Sequence, residues 1–483
     1  MTPTNLVRST IAVLAISLLG VGMVSAFGFF DLAAYQRTLA PRLPEKYDTA
    51  IRMPSSPPPK RDRSMEGPQF GELRPGSGEP STSFTGSWSQ FRGDQLNAIA
   101  KDSPKLARSF PASGPKVLWE IEVGEGYAGA AAKNGRAYIL DYDFKRRRDT
   151  LRCLNVETGE EIWNYSYPVM IAGNHGVSRT IPAVTDRFCV TIGPMCHVGC
   201  FDAVTGELLW SRDMVQDYGT IVPQWYNGQC PLVVADTLIL APSGTEALFV
   251  AIDCETGEEL WRTPNPFGWV MTHTSVAPMK LGERDTYVYV GKEGIVGVDA
   301  NTGEILWVNF EWKIGIATSP SPLILPENRV FLCGEYDSNG AMLQITETVA
   351  GKYEGKLLWN KPPPIFRSTQ QTPIFYDGHI FGLDKNRRNF TCMDLNGNTV
   401  WGSGSKPFFG SFAGGPYMVA DGLFLIVSDS GELTIAEATS REFKPLGTWE
   451  VIPDAHESWG PLCFVDGLLI LRDLKRMVCL DLR

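Results

Sequence analysis

The sequence lacks the features that would assign a function directly. It has 44 lysine and arginine residues against 54 aspartate and glutamate residues, and the net charge of −10 leaves no basic surface for a phosphate backbone, so we expect no nucleic-acid partner. None of its ten cysteines forms a C-x-x-C-H motif, which excludes a haem attached through that motif. Its five histidines show no H-x-x-x-H spacing, and we therefore predict no metal site.

An uncharged run over residues 9–30 is the one candidate for a membrane-crossing segment. Its 22 residues are long enough to cross about 30 Å of hydrocarbon as a helix. Two readings stay open: an uncleaved transmembrane anchor, or a signal peptide cleaved after Ala26, where Val24 and Ser25 supply small residues. The charge of Arg8 before the run and of Asp31 after it favours a short cytoplasmic N-terminus over residues 1–8. We therefore expect the rest of the chain to be exported to the periplasmic or extracytoplasmic side, anchored in the membrane or, after cleavage, secreted.

A proline-rich stretch follows the apolar run. Residues 41–83 contain nine of the 34 prolines, with glycine, serine and charged residues between them. Such a composition cannot bury enough apolar surface to fold. We predict a disordered linker over residues 31–85 and a folded domain over residues 86–483.

A phrase ending in tryptophan recurs through that domain. It reads DAVTGELLW at 202–210, DCETGEELW at 253–261 and DANTGEILW at 299–307. The eight tryptophans are 44, 47, 51, 46, 52, 42 and 48 residues apart, which fits one four-stranded β-propeller blade per unit. The sequence thus predicts an all-β fold, an eight-bladed β-propeller with four-stranded blades. The repeat tryptophans are Trp119, Trp163, Trp210, Trp261, Trp307, Trp359, Trp401 and Trp449.

The phrase has a structural interpretation. Asp-x-x-Thr-Gly is typical of a tight turn in which the glycine takes a positive φ, and the residues after it begin the returning strand. The tryptophan offers one large flat surface per unit for packing against the next blade. The turn glycines are Gly159, Gly206, Gly257 and Gly303.

The two ends of the domain complete each other. The chain stops at MVCLDLR, a strand without its turn and tryptophan strand, whereas KVLWEIEV near residue 119 is a tryptophan strand without a preceding partner. Pairing them closes the ring and removes exposed sheet edges. We therefore predict a propeller closed by N- and C-terminal strands.

These phrases carry a family resemblance. They resemble the A-x-D-x-x-T-G-x-x-x-W repeat of the pyrroloquinoline-quinone (PQQ) type β-propeller, found in quinoprotein dehydrogenases and in the propeller lipoprotein of the outer-membrane barrel-assembly complex. WSQFRGDQLNAIA at 88–100 resembles the lead-in to such propellers, and the resemblance covers residues 88–483. It implies the fold and leaves both enzymes and scaffolds open.

The resemblance to the enzymes has gaps. Quinoprotein alcohol dehydrogenases resemble one another in an adjacent cysteine pair, a calcium ion held by acidic and amide side chains and, often, a haem. The sequence has no Cys-Cys pair, and no catalytic base or calcium ligand maps onto it. We therefore expect no cofactor, with PQQ and calcium as the alternative.

The cysteines fit a structural role. Cys153, Cys200, Cys392 and Cys479 precede the turn by two residues, a position typical of a small buried strand residue. A disulfide between Cys189 and Cys200 across one hairpin stays open in an exported protein.

Candidate ligand-binding residues lie in the loops that lead into the innermost strands. These loops converge on one mouth of the central channel, and histidine, arginine and indole groups together suit an anionic or planar ligand. The alternative is that they are ordinary loop residues that cap the channel. The candidates are His175, Arg179, Trp225, His273, Arg367, Gln371, His456 and Trp459.

Three functions follow as hypotheses. The first is a non-catalytic, membrane-tethered scaffold that binds protein or peptide partners. The second is a divergent PQQ-dependent oxidoreductase. The third is a propeller that binds a small molecule or a glycan without turnover, with Trp225 and Trp459 stacking on the ligand.

Overall fold

The described residues form eight β-sheets. The computed structural model describes residues 66–171, 176–314, 318–334, 338–360, 368, 370–384, 388–404 and 415–483. Each sheet has four antiparallel blade strands, and short strands from residues 72–100 are added to two of the sheets. The predicted all-β, eight-bladed propeller with four-stranded blades is confirmed.

The strands follow one another blade by blade along the chain. A 3-10 turn (Pro68–Phe70) and four strands come before the first blade: β1 (Glu72–Pro75), β2 (Ser87–Trp88), β3 (Ile99–Ala100) and β4 (Lys116–Glu122). Blade 1 has β5 (Ala130–Lys133), β6 (Arg136–Asp143), β7 (Arg148–Asn155) and β8 (Glu161–Pro168). Blade 2 has β9 (Ala183–Val184), β10 (Phe188–Ile192), β11 (His197–Asp202) and β12 (Leu208–Asp213), followed by the short helix α1 (Met214–Tyr218). Blade 3 has β13 (Leu232–Val234), β14 (Thr237–Leu240), β15 (Phe249–Asp253) and β16 (Glu259–Thr263).

The remaining blades repeat this order, from the innermost strand at the channel to the outermost strand. Blade 4 has β17 (Ala277–Leu281), β18 (Arg284–Gly291), β19 (Gly294–Asp299) and β20 (Ile305–Asn309). Blade 5 has β21 (Leu323–Leu325), β22 (Arg329–Leu332), β23 (Ala341–Val349) and β24 (Lys352–Asn360). Blade 6 has β25 (Ile374–Tyr376), β26 (His379–Asp384), β27 (Asn389–Met393) and β28 (Thr399–Gly402). Blade 7 has β29 (Tyr417–Ala420), β30 (Leu423–Val427), β31 (Glu432–Glu437) and β32 (Pro445–Glu450), and blade 8 has β33 (Cys463–Val465), β34 (Leu468–Arg472) and β35 (Arg476–Asp481).

Blade 8 is completed by a strand from the other end of the domain. Strand β4 pairs antiparallel with β35, and Trp119 lies opposite Cys479. Trp119 is thereby the outermost-strand tryptophan of blade 8. The ring is closed by an N-terminal and a C-terminal strand, as the truncated phrases at the two ends predict.

The recurring phrase joins five of the blades to the blade before them through a tryptophan hydrogen bond. In blade 3, Asp253 Oδ1 accepts the backbone N–H groups of Glu255 and Thr256 at 2.9 and 2.8 Å, and Gly257 has a φ of +73°. The turn lies under Trp210 of blade 2, whose Nε1 donates to the Cys254 carbonyl at 2.8 Å. The phrase is therefore an interblade contact. The same indole-to-carbonyl bond joins Trp119 to Val156, Trp163 to Val204, Trp261 to Ala300 and Trp359 to Leu395.

A chain of hydrogen bonds joins the innermost strands of blades 2 to 6. The Ile181 N–H donates to Cys230 Sγ at 3.4 Å, and the Cys230 N–H donates to Ser275 Oγ at 3.0 Å. The Ser275 N–H donates to Ser321 Oγ, and the Ser321 N–H donates to Thr372 Oγ1, both at 2.9 Å. Each residue stands just before an innermost strand, so the chain of bonds fixes the spacing of the blades around the channel.

Residues 86–100, which we name the channel segment, run along the innermost strands of several blades. The Val184 N–H of blade 2 donates to the Ser89 carbonyl at 2.7 Å, and the Val419 N–H of blade 7 donates to the Ala98 carbonyl at 2.9 Å. Arg92, which is buried, donates to the Thr372 carbonyl of blade 6 at 2.6 Å. This segment contains the lead-in motif at residues 88–100, and its contacts with blades on several sides explain why the motif precedes the propeller.

The boundary between linker and domain differs from the predicted one. The sequence places residues 31–85 in a disordered linker, yet residues 67–78 lie along the outermost strand of blade 1, with Leu73 opposite Tyr165. Tyr165 also donates its hydroxyl hydrogen to the Pro68 carbonyl at 2.7 Å. Composition alone misses this segment because it is extended and stabilised by pairing with β8. Residues 31–65 lie outside the described residues.

The cysteines within the fold are buried free thiols. A Cys189–Cys200 disulfide does not form, because the register places Cys189 opposite Phe201 and Val190 opposite Cys200. Neighbouring register positions point to opposite faces of a sheet, and the two thiols accordingly belong to different core clusters.

The N-terminal predictions concern residues outside this part of the chain. The 9–30 run and the residue 1–8 terminus are not among the described residues. Within the described residues, no helix is both long and apolar enough to span a bilayer.

Candidate functional site

A cup opens at the end of the channel where the innermost strands begin. Its volume is about 590 Å³, including open solvent at its mouth. Most of its lining comes from residues that stand just before β5, β9, β13, β17, β21, β25 and β33, and Phe91 of the channel segment also lines it. The lining residues are Phe91, Tyr127, Arg179, Gly228, Cys230, His273, Ser275, Ser319, Gln370, Gln371, Trp459 and Pro461.

One side of the cup is a stack of three side chains. The rings of Tyr127 and Trp459 are stacked with centroids 5.2 Å apart and planes inclined by 27°. The guanidinium carbon of Arg179 lies 4.9 Å from the Tyr127 ring centroid, within cation–π distance. The Arg179 Nε also donates to the Trp225 carbonyl at 2.7 Å. The stack therefore joins the approaches to blades 1, 2 and 8 and fixes the position of the cation.

Glu457 places a carboxylate at the outer end of the stack. The Tyr127 hydroxyl donates to Glu457 Oε2. Burial, followed by this hydrogen bond, raises the pKa of Tyr127, so the phenol stays protonated. Burial lowers the pKa of Arg179 to about 10, which still leaves the guanidinium charged at neutral pH. The carboxylate and the guanidinium thus both contact Tyr127, the first at its hydroxyl group and the second over its ring.

His273 presents an acceptor atom to the cup. Burial and the nearby Arg179 charge lower its pKa to about 4, against a smaller opposing effect of a hydrogen bond to the Tyr226 backbone. The ring is therefore neutral at pH 7. Its Nε2 atom is buried and has no hydrogen-bond partner among the described residues, so the backbone bond belongs to Nδ1. A neutral ring that donates from Nδ1 carries a lone pair on Nε2.

Two glutamines complete the polar lining. Gln371 Nε2 donates to the Trp459 carbonyl at 2.7 Å and links the approach to blade 6 with that to blade 8. Gln370 Oε1 is buried and, within the described ranges, has no hydrogen-bond partner. The cup therefore contains two buried acceptors, His273 Nε2 and Gln370 Oε1, that only a hydrogen-bond donor would satisfy.

The structure brings together part of the predicted set. Arg179, His273, Gln371 and Trp459 line the cup. Trp225 lies beside it, with its ring centroid 6.2 Å from that of His273. His175 and Arg367 lie outside the described residues.

His456 does not belong to the cup, contrary to the sequence-based expectation. It is exposed and lines a different groove, with Asp454, Asp473 and Arg476. The physical reason is a turn at Glu457, which has a φ of +54° and whose carbonyl accepts the Trp459 N–H at 2.7 Å. The turn sends Trp459 into the channel mouth and leaves His456 on the outside.

Sequence reasoning missed Tyr127 and Phe91. Tyr127 precedes the innermost strand of blade 1. In the other blades a proline, such as Pro182, Pro231 or Pro373, stands at or just before the start of this strand, and blade 1 has none. The available signal was that Tyr127 stands three residues before β5, within the loop that leads into an innermost strand. Phe91 belongs to the lead-in motif, and the sequence of that motif does not predict its path along the channel.

One family model matches the chain. The family is described as outer membrane protein assembly factor BamB, and its model matches residues 194–363. These residues run from blade 2 to the end of blade 5.

A curated relative and two solved structures show further similarity. Tetrathionate hydrolase of Acidithiobacillus ferrooxidans is 24% identical over 181 residues, which are 35% of this chain and 34% of the relative. The chain thus spans about a third of that relative's length. BamB from Moraxella catarrhalis superimposes with a TM-score of 0.52 at 12% identity, covering 76% of this chain and 100% of that structure. A europium-containing methanol dehydrogenase superimposes with a TM-score of 0.57 at 13% identity, covering 80% of this chain and 89% of that structure.

The comparisons agree with the repeat phrases of the sequence and with the eight sheets of the structure. At 12% and 13% identity the solved structures establish the fold only, and they include both an assembly factor and an enzyme. The chain folds as a PQQ-like β-propeller, and its residues 194–363 match the family model.

Proposed function

We propose that the chain is a non-catalytic interaction scaffold that binds protein partners outside the cytoplasm, tethered to a membrane through residues 9–30. Two findings support the interaction role. The matching family model is described as an assembly factor, and the outermost strands expose apolar side chains such as Leu209, Leu260 and Leu358. These leucines belong to different blades, and each directly precedes the repeat tryptophan of its blade, so each marks a separate place at the rim where a partner could make an apolar contact.

The observation that carries the proposal is that side chains of the protein itself fill part of the channel mouth. In the quinoprotein reading, this mouth holds a flat cofactor. Here the protein's own side chains occupy one side of it, as the stack of Arg179, Tyr127 and Trp459, and Phe91 of the channel segment reaches it from within. Trp459 and Tyr127 are both buried. Little aromatic face is left for a second planar group.

The lining residues also do not fit calcium. Ca²⁺ takes six to eight oxygen ligands, with carboxylates prominent among them. Among the described residues, no aspartate or glutamate lines the cup, and the nearby Glu457 accepts the Tyr127 hydroxyl. The charged group on the lining is the cation Arg179, which would repel the metal. We therefore derive no reaction through PQQ and calcium.

The test has two arms, both with the full chain. In the first, the purified protein is dialysed against PQQ with calcium, and we expect no stoichiometric retention in its absorbance spectrum. In the second, cells that produce the chain are treated with an amine-reactive cross-linker, and we expect a reproducible adduct larger than the monomer. Stoichiometric PQQ retention with a monomeric chain would overturn the scaffold proposal.

A second candidate function is favoured by the two buried acceptors. His273 Nε2 and Gln370 Oε1 suit a small ligand that donates hydrogen bonds, such as a polyol or a sugar. A thermal-shift series with monosaccharides tests this, and any stabilisation is expected to disappear in Trp459→Ala while the variant stays folded. An unchanged apparent affinity in that variant would contradict the cup as the binding site.

A further inference from the structure

The outermost tryptophan of a blade is repeatedly covered by a segment from outside that blade. In blade 1, Leu73 of β1 lies close to Trp163. A Cβ at Gly206 would stand 2.9 Å from Leu73 Cδ1 and 2.6 Å from Trp163 Cδ2, so both side chains border the same point. In blade 7, the ring of Phe110 packs edge-on against Trp449 with centroids 5.3 Å apart. The indole edge at the rim of the propeller is thus a place where the chain docks segments from outside the blade, one of them a paired strand.

Blade 1 shows what such an occupant looks like. Its outermost strand, β8, pairs antiparallel with β1, with Arg74 opposite Asn164. Beyond β1, the Gly76 N–H donates to the Ile162 carbonyl at 2.8 Å. A Cβ at Gly76 would lie 1.8 Å from the Glu161 carbonyl oxygen, so glycine is required there. The occupant is an extended segment with one apolar side chain between charged residues and a glycine after it.

Blade 3 has the same strand without such an occupant. Its outermost strand β16 pairs with β15, and in the described part of the chain no strand pairs with its other edge. Leu260, the equivalent of Ile162, is 56% exposed. The edge therefore offers backbone groups and an apolar side chain together.

A groove runs beside this edge, between blades 3 and 4. We name it the blade 3 groove; its volume is about 1180 Å³, including open solvent. It is lined by Leu260 and Trp261 of β16 and by Met279 and Tyr287 of blade 4, and the rings of Trp261 and Tyr287 are stacked with centroids 6.4 Å apart. Its lining within the described residues comes from blades 3 and 4 alone. An apolar side chain from an added strand would reach this groove as Leu73 reaches Trp163.

We propose that β16 accepts an extended segment of a partner protein as a fifth strand, with an apolar side chain of that segment in the blade 3 groove against Trp261. Backbone pairing supplies affinity in strand addition, and a pocket for one side chain supplies selectivity. The proposal rests on the scaffold function and names its site and the class of partner: a glycine-containing extended segment with one apolar residue flanked by charges.

The test uses a peptide copied from the chain's own occupant. The probe is a synthetic peptide of residues 66–78 with a photoreactive benzoylphenylalanine in place of Leu73. It is irradiated with the purified full chain, and the cross-linked sites are mapped by mass spectrometry. We expect adducts within β16 or on Met279 and Tyr287.

Two variants and one modified peptide make the result specific. Leu260→Lys is expected to lower the yield of these adducts at least tenfold. The matched control is Leu358→Lys, since Leu358 precedes the tryptophan of blade 5 in the same way and is 53% exposed; its yield is expected to stay within twofold of the parent. A peptide N-methylated at residues 72 and 74 retains every side chain but cannot pair as a strand, and it is expected to lose the adducts.

The outcomes separate this proposal from the scaffold function. Adducts confined to β8 mean that the peptide merely exchanges with β1, and adducts insensitive to Leu260→Lys or to N-methylation mean non-specific contact; either result overturns the blade 3 site. If the peptide fails while the cellular adducts persist in Leu260→Lys, the scaffold function survives without this site. If the cellular adducts are absent from the parent as well, the scaffold function itself fails.

Discussion

Replacing Gly257 with alanine tests whether the turn glycine and the tryptophan of the preceding blade hold the ring together. Gly257 has a φ of +73°, and a Cβ there would lie 2.8 Å from Trp210 Cγ. A contact of ordinary length is at least about half an ångström longer, so the indole has to move. Any movement also disturbs its hydrogen bond to the Cys254 carbonyl at 2.8 Å.

The expected cost has two separable parts. An alanine in the left-handed region costs about 1 kcal/mol wherever it stands. Displacing the packed indole adds about 1–3 kcal/mol, including part of a hydrogen bond. Gly378 isolates the first part, because its φ is +74° and a Cβ there would meet nothing within 4 Å. We expect Gly378→Ala to lower the free energy of unfolding by about 1 kcal/mol and Gly257→Ala by about 3 kcal/mol.

The assay is equilibrium urea unfolding of the full-length variants, followed by circular dichroism. Adding Trp210→Ala to each glycine variant provides a double-mutant cycle, in which the extra cost of Gly257→Ala should disappear because the clashing ring is gone. Equal losses for Gly257→Ala and Gly378→Ala would refute the interblade interpretation of the phrase, since backbone strain alone would then explain both.

Three further predictions concern buried ionisable groups. Burial raises the pKa of Asp149 to about 7, so its protonated form stabilises the fold below pH 4 and this contribution is lost as the pH rises to 7. The free energy of unfolding of Asp149→Asn should therefore rise by about 3 kcal/mol relative to that of the parent between pH 5 and pH 8. Urea unfolding at the two pH values measures this difference. The buried Arg472 donates to four backbone carbonyls on both sides of the junction between blades 8 and 1, and Arg472→Met should cost about 3–5 kcal/mol and speed amide exchange in β5. The pKa of His273 is lowered to about 4, so its NMR signals should report a neutral ring at pH 5.5, and the stability it contributes should be lost as the pH falls from 6.5 to 4. The first prediction is contradicted if the stability of Asp149→Asn depends on pH as that of the parent does. The second is contradicted if amide exchange in β5 of Arg472→Met is as slow as in the parent, and the third if the His273 ring is charged at pH 5.5.

The fold could be predicted because the repeat phrase encodes it locally. An aspartate that caps its own turn, a glycine with a positive φ and a tryptophan at fixed spacing act within a dozen residues, and each was visible in the sequence. Ring closure was also visible, because Trp119 and MVCLDLR each lacked a partner. What the sequence did not reveal was the path of residues 66–100, whose contacts with blades 1, 2, 6 and 7 are all made at long range.

The candidate site could be predicted only in part, for a related reason. Counting back from each innermost strand placed Arg179, His273, Gln371 and Trp459 at one mouth. It could not exclude His456, because that exclusion depends on one left-handed residue at Glu457. Nor could it show that Tyr127 fills the space between Arg179 and Trp459.

Departures from the repeat are the places where a function can be specific to this chain. Residues common to every blade hold the ring, so they distinguish neither a partner nor a ligand. Tyr127 belongs to blade 1, which has no proline at the start of its innermost strand, and its ring stacks on Trp459 at one side of the cup. Strand β16 has an uncovered outer edge, as the outermost strands of most other described blades have, and its distinguishing feature is the open groove that Leu260 and Trp261 line. Because the symmetric parts of a propeller are fully used in packing blade on blade, binding energy has to come from such exceptions, and this argues for testing the edge of blade 3 before the channel.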